Sequence, residues 1–123
     1  QTALISVGTT ADNVSQAMEL LKEKCTPGHY DLGSIKPLDT ELLHHVFKNY
    51  TSIITVEDGA LLGGAGSAVL EWANDHGYSQ IIRRIGIPDS FIPHGTTSQL
   101  QKEVGLDPAG IAEVILGGLK TNL

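Results

Sequence analysis

Ser52-Ile-Ile-Thr-Val56, closed by Glu57-Asp58-Gly59 and followed by Leu61-Leu-Gly-Gly-Ala-Gly-Ser-Ala-Val69, decides the class of fold. The first five residues are β-branched almost throughout, with no alternation of polar and apolar positions. Both faces of such a strand expect burial, as in a parallel sheet covered by helices on each side. The small residues beyond it open a helix that runs to about His76 and meets its stop at Gly77. A buried strand that passes through a glycine turn into a helix is the beginning of a strand–helix–strand crossover.

Upstream, Ala3-Leu-Ile-Ser-Val7 predicts a short strand ending at Gly8, after which Thr9-Thr10 offers hydroxyls to cap a helix. Val14, Ala17, Met18, Leu21 and Cys25 fall on one stripe at helical spacing, with Glu19, Lys22, Glu23 and Lys24 off it, until Pro27-Gly28. His29-Tyr-Asp-Leu-Gly-Ser-Ile35 predicts a weaker strand, and Pro37 and Asp39 introduce a helix carrying Leu42, Leu43, Val46, Phe47 and Tyr50. Downstream, Gln80-Ile-Ile-Arg-Arg-Ile-Gly-Ile87 predicts a fourth strand ended by Pro88, and the segment from Asp89 to Gly95 an irregular loop. Thr96 and Gln99 have capping-box spacing for a short helix ending at Gly105; Asp107-Pro108 then starts a last helix through Ile111, Val114, Ile115 and Leu119. Strands alternating with helices predict an α/β fold in three layers, with a parallel sheet wound right-handedly. Ligands in such sheets sit beyond the carboxyl ends of the strands, here Gly8-Thr9-Thr10, Ile35-Lys36-Pro37, Glu57-Asp58-Gly59 and Pro88-Asp89.

The chain has 123 residues, 41% hydrophobic and 18% charged, which provides for one domain, residues 1–119, with 120–123 as a tail. The apolar fraction excludes wholesale disorder, and the longest uncharged apolar-and-small run, Ala60 to Leu70, is well short of the roughly 18 residues of a membrane span. The chain begins Gln1-Thr-Ala with neither a basic region nor a hydrophobic signal core, and the lone Cys25 has no internal disulfide partner, so a reducing, cytoplasmic compartment is expected. A net charge of -6, with lysines and arginines scattered, excludes the electrostatic footprint of a nucleic-acid or anionic-membrane binder.

Each candidate for chemistry has a plainer reading beside it. The cluster Gly63-Gly64-Ala65-Gly66-Ser67 opens a helix after a strand, where backbone N–H groups hold phosphates. Val69 stands where a dinucleotide fingerprint wants Gly or Ala, and no Lys follows as in a P-loop, so the glycines read as close-packing turns. Glu57 and Asp58 are neighbours on a strand, point to opposite faces and share no proton; Glu57 reads as a cap or interface residue rather than a general acid or base. Of the five histidines, His44 and His45 point about 100° apart on a helix and lack the spacing of a helical metal pair, so surface histidines are the default. His94, in a loop stiffened by Pro93 and released by Gly95, is close enough to Asp89 in sequence for the two to shape that loop by a hydrogen bond. Ser67 is outside the register of a nucleophile elbow, and Cys25 reads as a small hydrophobe. No catalytic constellation is complete.

The words of the sequence are more specific than its periodicities. Thr55-Val-Glu-Asp-Gly-Ala-Leu-Leu-Gly-Gly-Ala-Gly-Ser-Ala-Val69 resembles the C-terminal domain of the transketolase family, in which a strand ending in Thr-Val-Glu precedes a Gly-Gly-x-Gly-Ser-x-Val helix start. Gly86-Ile-Pro-Asp-Ser-Phe-Ile-Pro-His-Gly95 and Gly105-Leu-Asp-Pro-Ala-Gly-Ile111 are similar to one branch of it, as are Leu4-Ile-Ser-Val-Gly-Thr9 and Ile35-Lys-Pro-Leu-Asp39. That branch condenses pyruvate with glyceraldehyde 3-phosphate, with loss of CO2, on thiamine diphosphate.

The resemblance implies the third domain of a three-domain enzyme, with four parallel strands in the order 2-1-3-4 and the family's antiparallel edge strand missing. It implies thiamine diphosphate and Mg2+ in the full-length enzyme, held by a Gly-Asp-Gly motif of the first domain, and none in this chain, since Glu57-Asp58-Gly59 is a different motif. It implies no catalytic, cofactor or metal residue here, and leaves Glu57, Gly63, Gly64, Gly66, Asp89, His94 and Gly95 as structural or interface candidates. The implied partners are the two preceding domains and a second copy of the full-length chain. The matching domain of a 2-oxoacid dehydrogenase β subunit, or a free-standing flavodoxin-like ligand-binding module, remains an alternative.

Overall fold

In the computed structural model, which describes residues 1–33, 35–60, 63–88 and 95–120, Ile53, Ile54, Thr55 and Val56 are buried completely. This is the two-sided burial that their β-branching calls for. The elements are β1 (Thr2–Val7), α1 (Ala11–Leu20), β2 (Gly28–Gly33), α2 (Thr40–Asn49), β3 (Ser52–Ala60), α3 (Ala65–Asp75), β4 (Ile81–Ile87), α4 (Thr97–Val104) and α5 (Pro108–Lys120). The strands form one sheet in the order β2-β1-β3-β4, every pair parallel. The expected order of strands is thus the observed one.

Alternation along the strands sends successive side chains to two cores. Leu4, Ile54, Val56 and Ile85 meet Val14, Ala17 and Leu21 from the first helix and Leu106, Ile111, Ala112 and Ile115 from around the last. Ala3, Ile5, Leu32 and Ile53 meet Leu43, Val46 and Phe47 of α2 and Val69, Trp72 and Ala73 of α3. The sheet is therefore the middle layer of three. No helix among the described residues is long and apolar enough to cross a membrane.

The local signals act mostly as read. Asp39 accepts a hydrogen bond from Leu42 N at 3.1 Å, Thr96 and Gln99 form a reciprocal capping box, and Gly105 ends α4 in the left-handed region at φ 77°. Three boundaries and one cap differ, the first being β2, which spans Gly28–Gly33 rather than His29 to Ile35. The first helix stops at Leu20 rather than Cys25, because the chain turns after Leu21; Cys25 still packs on the first core, so the apolar spacing tracked burial and not helix. Thr10 makes no side-chain cap; its hydroxyl bonds instead to the carbonyls of Val7 at 3.0 Å and Val56 at 2.9 Å, tying the ends of β1 and β3 together. β3 runs through Ala60 with a register shift against β4 between Val56 and Ala60. That irregularity is where the acidic pair lies.

Candidate functional site

The chain leaves β1 for α1 on one face of the sheet and β3 for α3 on the other, so the carboxyl ends of β1 and β3 flank the switch point where open α/β sheets take their ligands. Gly8 and Thr9 line one side of it and Asp58 the other. The crevice is bridged by the chain itself: Asp58 Oδ2 accepts from Thr9 N at 3.1 Å and from Thr9 Oγ1 at 2.7 Å. These bonds, the hydroxyl's first, hold the Asp58 carboxyl below the usual carboxylate range. Gly8, at φ 73°, has Asp58 so close that a Cβ would stand 2.5 Å from Oδ1. Only a glycine permits this approach.

The second carboxylate of the pair is spent on the helix. Glu57, 3% exposed, reaches from within β3 to the start of α3, where its two oxygens accept from Ala65 N at 2.7 Å and Gly66 N at 3.1 Å. These N–H groups carry the positive end of the helix dipole and have no partner within the helix. A carboxylate from the chain fills the place that an anionic ligand takes in phosphate-binding folds. Gly64 is the N-cap residue of α3 and Gly63 precedes it at φ 72°. Gly66 lies over β3, where an added Cβ would be 2.8 Å from Thr55 Oγ1 and 3.0 Å from Arg84 Cδ. Arg84 in turn donates to Ser67 Oγ at 3.0 Å. Gly95, at φ 80°, sits against the Gln99 side chain that closes the capping box. Asp89 and His94 lie outside the described residues.

Two clusters escaped the sequence reading, because each joins residues from separate elements. Ser6 Oγ lies 2.8 Å from His29 Nε2 and 3.5 Å from Asp31 Oδ1, across the β1–β2 pairing. Ser6 is fully buried, so this grouping does not present a nucleophile. Burial pushes the His29 imidazole below its ordinary value of 6.5, with the Asp31 charge opposing. A histidine whose folded pKa is depressed favours folding above that ordinary value and loses its contribution as the pH falls through the folded one. The urea midpoint of the wild-type chain is therefore expected to drop more than that of His29→Gln between about pH 7.5 and pH 5.5. Parallel curves for the two proteins would show that His29 is not the group responsible. His44 is the other departure: it is half-buried among Trp72, His76 and Tyr78 rather than a plain surface histidine.

The sequence profile of the family described as "Transketolase, C-terminal domain" matches residues 1–111. The chain is 46% identical over 114 residues to the 1-deoxy-D-xylulose-5-phosphate synthase of Cytophaga hutchinsonii, an alignment covering 92% of this chain and 18% of that protein. It is 46% identical over 112 residues to the synthase of Parabacteroides distasonis, covering 90% of this chain and 18% of that protein. The synthase of Bacteroides fragilis is 45% identical over 115 residues, covering 92% and 18%. The chain thus spans about a fifth of the length of these curated relatives. Among solved structures, a protein described as "Split gene transketolase, inactive beta4 tetramer" superposes with a TM-score of 0.88 at 24% identity, covering all of this chain and 40% of that one. The two sheets share a fold. The chain belongs to the transketolase C-terminal domain family.

Proposed function

We propose that the chain is the non-catalytic C-terminal domain of a thiamine-diphosphate-dependent synthase, which joins pyruvate to glyceraldehyde 3-phosphate and releases 1-deoxy-D-xylulose 5-phosphate and CO2. Residues 1–119 form one folded unit whose role is support and assembly, beside two preceding domains that hold thiamine diphosphate and Mg2+. The complete enzyme is a cytoplasmic homodimer. An identity of 46% with curated synthases, over alignments that cover 90% and 92% of the chain, supports the branch of the family. The observation that carries the non-catalytic role is the use of both carboxylates at the switch point by the chain's own backbone and hydroxyl groups.

The residues present do not fit the cofactor. A diphosphate at the start of α3 would have to displace the Glu57 carboxylate from Ala65 N and Gly66 N. A metal ion on Asp58 would have to displace Thr9. Glu57, Gly63, Gly64, Gly66 and Gly95 act in shaping turns and helix starts, and the Asp89–His94 loop in the contact with the rest of the enzyme.

Thermal unfolding in the presence of thiamine diphosphate with Mg2+, of glyceraldehyde 3-phosphate, and of nucleotides tests the reading. No saturable stabilisation is expected from any of them. A rise with thiamine diphosphate would move the cofactor site into this chain, and a rise with a nucleotide would favour a free-standing binding module. The coding sequence before Gln1 is expected to specify several hundred residues containing a Gly-Asp-Gly motif. A start codon close to Gln1 would overturn the proposal.

A further inference from the structure

His44 of α2 and His76, just past α3, come together on the outer side of the second core. Their ring centroids are 5.2 Å apart and their planes nearly perpendicular, at 83°. Each ring has one nitrogen already engaged. His76 Nδ1 lies 2.8 Å from the Trp72 carbonyl, which only accepts, so Nδ1 carries the proton and Nε2 is left as a bare lone pair. His44 Nδ1 lies 2.7 Å from Tyr78 Oη, and in the tautomer in which it donates there, its Nε2 is bare as well. Trp72 stacks on His76 at 4.4 Å and 25° and meets His44 edgewise at 4.8 Å, so packing restrains both rings.

An imidazole with Nδ1–H donated to a protein oxygen and Nε2 free is the usual state of a histidine ligand, since the outer bond sets the tautomer and raises the basicity of the ligating nitrogen. Two imidazoles bound through Nε2 at about 2.0–2.1 Å to one tetrahedral ion have centroids roughly 5 Å apart. The observed centroid separation of 5.2 Å leaves room for one shared ion. Among the described residues no group of three or more His, Cys, Asp or Glu side chains is placed to hold a metal, so a site here has two protein ligands and completes its coordination with water. His76 is exposed and His44 half-buried, which gives an ion access from solvent.

We propose that His44 and His76 bind one divalent transition-metal ion of the zinc and copper class through their Nε2 atoms, clamping α2 to the end of α3. Imidazole pairs favour Cu2+ over Ni2+ and Zn2+, and none of them suits Mg2+, so this site is separate from the chemistry of the cofactor. The inference is independent of the proposed enzymatic role.

Trp72 is the only tryptophan of the chain and lies against His76, so its fluorescence reports directly on the site. Titration of the 123-residue chain with Cu2+ at neutral pH is expected to quench the emission saturably with one equivalent, and Zn2+ to restore it by competition. His76→Gln and His44→Gln are each expected to weaken the quenching at least tenfold, with far-UV circular dichroism confirming the fold. Quenching that is unchanged in either variant would overturn the proposal. Should a variant fail to fold, nitrogen NMR of the unaltered chain decides. On addition of Zn2+, Nε2 of both His44 and His76 is expected to shift, and a shift at only one of them, or only at Gln1 or other histidines, refutes the pair.

Discussion

Gly110→Ala is expected to destabilise the chain by about 2 to 3 kcal/mol, although the same change in an ordinary helix gains up to about 1 kcal/mol. Gly110 lies in the first turn of α5, where its N–H donates to Asp107 Oδ1 at 3.1 Å. A Cβ there would stand 2.7 Å from both Cα and O of Gly105 and 2.8 Å from Asp107 Oδ1. The neighbour that would have to yield is backbone, and it is held. Gly105 is the left-handed cap of α4, and the next residue, Leu106, is buried, with its N–H donating to Gln101 O at 2.7 Å and its carbonyl accepting from Asn13 Nδ2 at 2.9 Å. Gly117, in the same helix, supplies the control: an added Cβ meets nothing within 4 Å, and Gly117→Ala is expected to raise stability by about 0.5 to 1 kcal/mol. Urea unfolding of the two variants gives the comparison. Equal gains at both positions would mean that α5 does not rest on the α4–α5 turn as described.

The other large effect is expected at Glu57. Glu57→Ala leaves Ala65 N and Gly66 N buried without their acceptor, a loss of about 3 to 4 kcal/mol for two bonds to a charged group. Glu57→Gln retains one accepting oxygen but turns an NH2 toward a helix start that offers only donors, and about 2 kcal/mol is expected from it. The emptied helix start then becomes an anion site, so sulfate or phosphate should restore part of the stability of Glu57→Ala and do less for the wild type. A loss below about 1 kcal/mol would show that water replaces the carboxylate and that Glu57 is free for another role.

Much of the architecture could be read without coordinates, for reasons that particular residues show. Ile53 to Val56 announce a doubly buried strand because β-branching and the lack of alternation leave no face for water. Asp39, Thr96 with Gln99, and Asp107 announce helix starts because a cap acts on N–H groups two or three residues away. Where the reading slipped, a local signal had a tertiary owner: Cys25 keeps the apolar spacing of α1 because it touches the same core, and Thr10 resembles a cap while its hydroxyl serves two strand ends.

By itself the sequence determined the α/β class, the elements and their order, and, through Thr55 to Val69, the family that the profile match bears out. Those features rest on periods and motifs a few residues long, so each is contained whole in a short window of the chain. Only the tertiary structure decided what the polar groups do. Thr9 closes on Asp58 across 49 positions, Asn13 reaches Leu106 across 93, and His44 meets Tyr78 across 34. No propensity encodes such pairs, because each exists only once the sheet has brought distant strand ends and helix faces to within hydrogen-bonding distance. The acidic pair shows the difference most plainly: alternation along the strand sends adjacent Glu57 and Asp58 to opposite faces, and the fold sets the start of α3 before one and Thr9 before the other.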